Sequence, residues 1–225
     1  MNPPDTTSPR AAGRRAFTLI EMIIVISIIS VLLGLLYGSL ERARKFSRRA
    51  ITFTEVKNIE AGLKQYYAHY HDWPADTVID AISQPLVSGQ DGGFVIDANV
   101  AQMLQGTLTD SSLQALRNAN PDRIPFVEFA RFSSSSQGQS LSVPINPFRT
   151  TTGSTETRQY KVLFDLNGDN EIRVTDPGVA NYTTNVFKRV AVWTLIPGSP
   201  GSGRNDSTEI SRDEVLGSWD TFDAK

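Results

Sequence analysis

The sequence predicts an α+β fold in which one long N-terminal helix packs on a small antiparallel β-sheet. Residues 17–37 form an apolar run, and apolar residues then recur at helical spacing as far as Tyr70. Strand-like runs follow at residues 159–164 and 187–196. A helical first part followed by strands is typical of the α+β class.

The composition limits the classes of protein to which the chain can belong. It has 225 residues, a formal charge of −2 and no cysteine. The near-zero charge predicts no nucleic-acid binding, which usually needs a strongly basic face. Without cysteine there is no disulfide, no thiolate metal ligand and no cysteine nucleophile. If the globular part lies outside the cytoplasm, something other than disulfides must fix its loops.

The apolar run is long enough to span a membrane. Its 21 residues, at about 1.5 Å each, cover roughly 30 Å, the thickness of a bilayer core. A secretory signal peptide has a shorter apolar region followed by a small-residue cleavage site, and neither is present. Arg10, Arg14 and Arg15 precede the run, so we expect residues 1–16 to stay in the cytoplasm.

Glu21 is the one charged residue in this run. A carboxylate in a membrane helix costs a few kcal/mol on insertion scales and by default marks a functional site. The alternative is a glutamate that is solvated at the level of the headgroups and has no role.

The sequence around Glu21 resembles the class III signal of prepilins, the precursors of type IV pilin-like proteins. Arg14, Arg15 and Ala16 are followed by Phe17 and the residues TLIE. The resemblance implies cleavage between Ala16 and Phe17 by a prepilin peptidase, and methylation of the new amine. It also implies that this amine pairs with Glu21 of a neighbouring subunit in a filament. Ala16 is a departure, because the family usually has Gly before the cut.

The helix is predicted to continue beyond the membrane to about His71, since no proline occurs between Phe17 and Trp73. One of its faces is apolar and the opposite face is polar. The apolar positions are Val56, Ile59, Leu63, Tyr66 and Tyr70. Gly34 and Gly38 are its weak points, and Pro74 ends it.

A basic cluster lies between the membrane segment and the amphipathic part of the helix. Its members are Arg42, Arg44, Lys45, Arg48 and Arg49. They predict contact with anionic headgroups or with acidic faces of neighbouring subunits. The alternative is a solvated helix face. Further along, short helices are predicted at 97–106 and 110–118, each capped by an aspartate.

Residues 165–176 follow the pattern of a calcium-binding loop and resemble the loop of dockerins. Oxygen-bearing side chains occur at positions 1, 3, 5 and 12, with an apolar residue at position 8. On this template the ligands are the side chains of Asp165, Asn167, Asp169 and Asp176 and the backbone carbonyl of Glu171. Asn170 stands where Gly is usual. The alternative is an Asx-rich turn that holds no metal.

The C-terminal segment resembles the major pseudopilins of type II secretion. These have a strand, a Gly-rich acidic loop that holds calcium, and an acidic-apolar segment that ends in Trp. Here a strand around Trp193 precedes a Pro- and Gly-rich loop and residues 213–219. The resemblance implies a second calcium loop with Asp206 and Asp213. Asn146-Pro147-Phe148 also resembles this family, in which Asp-Pro-Trp is commoner at this place.

Together these resemblances imply a pilin fold in four segments. Residues 1–16 are a cleaved leader, 17–40 a transmembrane and filament-core helix, 41–74 its amphipathic continuation, and 75–225 a periplasmic globular domain with calcium-binding loops.

The implied function is that of a structural subunit of a type II secretion pseudopilus, anchored by one span in the bacterial inner membrane. Its partners are other copies of the chain, the prepilin peptidase, other pseudopilins, the secretion assembly platform and the membrane.

The first alternative is a type IV pilin for adhesion, motility or DNA uptake; such pilins commonly close a C-terminal loop with a disulfide. The second is a membrane-tethered, periplasmic calcium-binding module. We expect no enzymatic activity, since the sequence has no Ser-His-Asp set, no histidine metal cluster and no phosphate-binding glycine loop.

Overall fold

The structure is a computed structural model of the chain. It describes residues 18–74, 78, 85–88, 91–129, 132–133, 143–148, 159–176, 182–197 and 213–221. The chain divides into two compact units, Met1–Lys45 and Phe46–Lys225.

A single helix, α1, runs from Leu19 to Tyr70. These bounds confirm the long helix that the apolar periodicity predicts. Gly34 and Gly38, its predicted weak points, lie inside the helix and do not interrupt it. The helix ends because His71 adopts a left-handed backbone with φ of 58°.

The part of α1 in the first unit exposes its apolar side chains. All side chains from Thr18 to Tyr37 are exposed. Ser27 and Ser30 donate their hydroxyls to carbonyl oxygens four residues earlier, at 2.8 and 2.7 Å, so these polar groups need no outside partner. Within the described residues this is the one helix that is long and apolar enough to cross a membrane. Its length and composition therefore suggest that it is a membrane anchor.

The part of α1 in the second unit buries the predicted apolar face. Val56, Ile59, Leu63 and Tyr66 are at most 4% exposed, and Tyr70 packs beside them. This segment of α1 therefore supplies one wall of the core.

An antiparallel sheet of five strands lies at the centre of the second unit. Its strands are β1 Pro85–Ser88, β2 Asp91–Val95, β5 Lys161–Phe164, β8 Val190–Pro197 and β9 Asp213–Gly217, and they are adjacent in that order. Two smaller antiparallel pairs are also described. They are β3 Phe132–Ser133 with β4 Val143–Pro144, and β6 Ile172–Asp176 with β7 Tyr182–Val186.

Each face of the five-stranded sheet packs on a different element. Phe164 and Val192 share a core with Leu63 of α1. Their neighbours Leu163 and Trp193 point to the other face, because side chains alternate along a strand, and they pack on β6 and β7. The second unit therefore has three layers: helix, sheet and hairpin. The sheet on the amphipathic half of α1 is a confirmed prediction, whereas the β6–β7 layer is not foreseen.

Two short helices, α2 (Ala98–Leu104) and α3 (Gln114–Ala119), lie between β2 and β3. Asp97 caps α2 as predicted, and its carboxylate accepts a backbone N–H at 2.8 Å. The predicted cap of α3 is wrong. Asp110 instead accepts hydrogen bonds from Ser112 in a turn, and α3 begins four residues after Asp110 without a side-chain cap.

Hydrogen bonds and an ion pair from charged side chains connect the end of the C-terminal strand to α1. Lys57 and Lys188 both donate to the backbone carbonyl of Ser218, and Lys188 also binds the carboxylate of Glu60 at 2.9 Å. Glu60 is 4% exposed. Burial alone would raise the pKa of Glu60, but the ammonium groups of Lys64 and Lys188 hold it below its ordinary value. The carboxylate therefore stays charged at neutral pH.

Arg49, a member of the basic cluster, has an ion-pair partner within the second unit. It binds Glu214 of β9 at 2.9 Å. Both side chains are more than a third exposed, so this ion pair contributes little stability. Arg42, Arg44 and Arg48 are exposed.

Asn146 fixes the segment before β5 to β8. Its amide donates to the Thr194 hydroxyl at 2.9 Å and to the Leu195 carbonyl at 2.7 Å, and its oxygen accepts from the N–H of Phe148 at 3.0 Å. The side chain is fully buried. Because its donors and acceptor are all satisfied, this polar group is compatible with the core.

Gly62 is the point where α1 comes closest to the segment after α3. A Cβ at this position would lie 2.3 Å from the Phe126 carbonyl oxygen and 2.5 Å from a methyl group of Val127. The nearer atom belongs to the backbone, so a methyl group forces the segment to move. At Gly34, in the same helix, a Cβ would meet no described atom within 4 Å.

We expect Gly62→Ala to destabilise the full-length protein in detergent. Alanine gains about 1 kcal/mol of helix propensity, but overpacking costs typically about 1–3 kcal/mol, and the backbone contact favours the upper end. Gly34→Ala is the matched control, because it gains the same propensity without a contact. Melting curves followed by circular dichroism measure both variants. An unchanged or higher Tm for Gly62→Ala would contradict the close approach.

Candidate functional site

The first turn of α1 is closed by a reciprocal pair of hydrogen bonds between Thr18 and Glu21. The backbone N–H and the hydroxyl of Thr18 both donate to Glu21 Oε2 at 2.8 Å. The N–H of Glu21 donates back to the Thr18 hydroxyl at 3.3 Å. This is a capping box, which satisfies N–H groups that the first helical turn leaves without partners.

The capping box gives Glu21 a role in its own chain, which the sequence reasoning missed. The signal was present, because Thr18 and Glu21 form the S/T-x-x-E pattern that opens a helix. The bonds described for the carboxylate use Oε2. A carboxylate has about four lone-pair sites, so Glu21 has capacity for a further cationic partner. Ala16 and Phe17, the predicted processing residues, lie outside the described residues.

The acidic loop between β5 and β6 is organised around Asp165. This side chain is 2% exposed. Its two oxygens accept from the N–H groups of Gly168 at 2.7 Å and Asn170 at 2.9 Å. Gly168 and Asn170 both have positive φ, 79° and 61°. Asparagine tolerates this conformation better than most residues, which explains how Asn170 occupies the place of a glycine.

The remaining loop residues continue the same pattern of side chain to backbone bonds. Asn167 accepts from the N–H of Asp169 at 3.0 Å, and Asp169 accepts from the N–H of Glu171 at 2.8 Å. The amide of Asn167 also donates to Asp169 at 2.9 Å, and that of Asn185 to Glu171 at 2.6 Å. These bonds hold Asp165, Asn167 and Asp169 in one tight turn.

Asp176, the last predicted ligand, lies at the end of β6. Its carboxylate binds the ammonium of Lys161 at 2.6 Å and accepts from Trp193 Nε1 at 2.7 Å. The side chain is fully buried. Asp176 therefore ties β6 to β5 and β8 with the carboxylate that the calcium template assigns to the ion.

Asp91, at the start of β2, is an acidic residue near this loop that the sequence reasoning did not select. It is 5% exposed. Its Oδ2 accepts from the N–H of Arg173 at 3.3 Å. Its Oδ1 is buried and has no hydrogen-bond partner within the described residues. The residues SGQDGG around it indicate only a turn, because its position beside the loop depends on which strands pair.

The electrostatic surroundings of Asp91 are acidic. Burial raises the pKa of Asp91, and the negative charges of Asp169, Asp165 and Glu171 raise it further. No three His, Asp or Glu side chains of the described residues are already arranged around one common point. The loop therefore has the oxygen atoms that a cation site needs, and in this structure those oxygens accept hydrogen bonds from backbone N–H groups of the loop.

The predicted second calcium loop is described only in part. Asp206 lies outside the described residues, and Asp213 is the first residue of β9. After β9 the chain turns at Ser218, and the ring of Trp219 lies 6.3 Å from that of Trp193. The acidic-apolar segment is thus an edge strand of the main sheet.

Residues 12–37 match the family model of the prokaryotic N-terminal methylation motif. No curated protein and no solved structure matches the chain. The matched residues include the predicted cleavage site, Glu21 and the whole apolar run. The motif supports a type IV pilin-like protein that is made as a prepilin, processed by a prepilin peptidase and assembled into a filament.

Proposed function

We propose that the chain is a structural subunit of a type II secretion pseudopilus. It is inserted in the bacterial inner membrane by the first part of α1, with its C-terminal unit in the periplasm, and it polymerises with other copies and other pseudopilins. The observation that carries this proposal is the methylation motif at residues 12–37 on a helix whose apolar side chains its own unit leaves exposed. The proposed role is mechanical, and no residue is assigned to catalysis.

The exposed part of α1 supports assembly through this helix. Apolar surface in water costs roughly 25 cal/mol for each Å², so side chains such as Ile24, Leu32 and Leu35, which are 53%, 59% and 73% exposed, need lipid or another copy of the helix around them. Before assembly the bilayer covers them. In a filament, the same surface of neighbouring copies replaces the lipid.

Two features support the secretion branch over the pilus branch. The chain has no cysteine, whereas type IV pilins commonly close a C-terminal loop with a disulfide. The C-terminal segment that resembles major pseudopilins is β9 followed by Trp219, which lies against the main sheet. Loss of the filament on deletion of the secretion genes would support the proposal, whereas filaments that persist at the cell surface would indicate a type IV pilus.

We also propose that the acidic loop of residues 165–171 binds calcium. All of its donors are oxygen atoms, which are the ligands that calcium prefers. Bound calcium would fix the connection between β5 and β6 in a chain that has no disulfide. A second calcium loop with Asp206 and Asp213 stays a prediction from the resemblance.

Co-expression with a prepilin peptidase is expected to remove residues 1–16, a loss of about 1.7 kDa. Because the family usually has Gly before the cut, Ala16→Gly should be processed faster than the natural sequence. Ala12→Gly is the matched control and should leave the rate unchanged. Intact-mass spectrometry over time measures all three. A full-length product, or equal rates for Ala16→Gly and the natural sequence, would contradict the predicted cleavage site.

We propose that Glu21 sets the register between neighbouring subunits by pairing with the amine of a neighbour. This role rests on its charge, and the capping box allows that charge to be tested separately. Glu21→Gln keeps the capping box, since glutamine also serves at this position, but it removes the charge that pairs with the amine of a neighbour. We therefore expect Glu21→Gln to insert normally and to form few filaments, and we expect the same of Glu21→Ala. Thr18→Ala, which loses the hydroxyl of the box and keeps the charge, should still assemble.

Filament yield by electron microscopy, with membrane fractionation as the insertion control, measures these variants. If Glu21→Gln assembles like the natural sequence while Thr18→Ala fails, Glu21 acts through the helix cap and the charge has no registry role.

A further inference from the structure

We propose that Asp91 is a ligand of the calcium ion bound by the acidic loop, so that the β1–β2 hairpin completes a site which the loop alone leaves open. This inference rests on the proposed calcium binding of residues 165–171. It concerns a residue far from the loop in sequence, outside the twelve-residue template.

The strand register brings Asp91 opposite Asp165. In the antiparallel pairing of β2 with β5, Gly92 pairs with Phe164. Continued by one residue, the same register places Asp91 opposite Asp165. Residues directly opposite each other in an antiparallel pair have their side chains on the same face, with Cβ atoms about 4.5–5.5 Å apart. Two buried aspartates therefore lie opposite each other at this end of the sheet.

Two like charges in this arrangement are unfavourable unless a cation lies between them. Directly opposite like charges destabilise a sheet, and burial increases the cost because the surroundings screen less. Asp91 and Asp165 are 5% and 2% exposed. Three neighbouring carboxylates raise the pKa of Asp91 by their negative charge. Asp169 has the largest effect, followed by Asp165 and Glu171.

The unpartnered oxygen of Asp91 is the second, independent sign of a ligand. Oδ2 is used by the N–H of Arg173, but Oδ1 is buried without a partner in the part of the chain that the structure describes. A buried polar group without a hydrogen bond costs about 1–3 kcal/mol, and more when it is charged. A bound cation would remove this cost and the repulsion from Asp165 together.

The backbone around Asp91 is held against the loop by a second contact. The hydroxyl of Ser88 donates to the carbonyl of Arg173, and Ser88 pairs with Asp91 across the β1–β2 hairpin. The hairpin thus binds both backbone groups of Arg173, two residues after Glu171. Asp91 is therefore positioned by the sheet on one side and by β6 on the other.

Asp91 takes the place that the calcium template gives to Asp176, because the carboxylate of Asp176 already binds other groups. Asp176 already neutralises Lys161 and accepts from Trp193, so taking it into the ion site would leave the ammonium of Lys161 buried without its partner. With Asp91 in its place, the donors are oxygen atoms throughout. They are the side chains of Asp91, Asp165, Asn167 and Asp169 and the backbone carbonyl of Glu171. An all-oxygen set with three carboxylates suits calcium rather than a transition metal.

The experiment uses the full-length protein in detergent, freed of metal with EGTA and titrated with calcium chloride by isothermal calorimetry. Asp91→Asn should weaken calcium binding by at least about tenfold, and so should Asp165→Asn. The double variant should be little worse than either single one, because both residues bind the same ion. If a C-terminal loop binds a second calcium ion, the titration shows two binding steps, and Asp91→Asn and Asp165→Asn should weaken the same one of them. Asp122→Asn, an exposed aspartate beside His69, is the matched control.

Melting temperatures separate a ligand from a merely structural aspartate. In EGTA, Asp91→Asn should melt no lower than the natural sequence, because it loses a repulsive charge; in calcium it should melt lower, because it loses a ligand. An equal loss in EGTA and in calcium would overturn the assignment.

Unchanged calcium affinity in Asp91→Asn, with loss of binding in Asp165→Asn, would also overturn the assignment of Asp91 and leave the loop as the site. If the natural protein takes up no calcium, both calcium proposals are wrong. The filament proposal is unaffected by that result, because it is tested by processing and assembly.

Discussion

The structure depends on the different surroundings that the two parts of α1 require. From Val56 to Tyr66 the apolar face of the helix is covered by the core of the second unit. From Leu19 to Tyr37 the side chains are exposed, and none of the described residues of the first unit covers them. A helix that is apolar all round is stable only inside lipid or inside a bundle of helices. The methylation motif on the same residues is therefore consistent with a chain that passes from a membrane into a filament.

In the proposed assembly, Glu21 serves both the membrane-inserted chain and the filament. In the isolated chain its carboxylate closes the capping box with Thr18, so the charge is partly satisfied by hydrogen bonds before any partner arrives. A methylated amine from a neighbour would add a charge-assisted bond without requiring the helix cap to open. The capping box would lower the free-energy cost of a carboxylate in the membrane. The stronger, charge-assisted bond to the amine would form only in the filament.

The periodicity of the sequence predicts those parts of the fold that follow from local rules. The buried face of α1, the Asp97 cap and the strands β5 and β8 all belong to this class. The β1–β2 hairpin was missed because Gly92 and Gly93 have no side chains to give a strand pattern, and Gly93 is required where a Cβ would lie 1.9 Å from the Val162 carbonyl oxygen. The position of Asp91 beside Asp165 depends on pairing between strands about seventy residues apart, which no local pattern encodes.

The central claim is that the chain is a prepilin whose mature form begins within the motif. N-terminal mass spectrometry of the protein isolated from the cells that make it tests this most directly. The account predicts that the first residue is Phe17 and that its amine carries a methyl group. A native chain that still contains residues 1–16, or that begins at any other position, would contradict it.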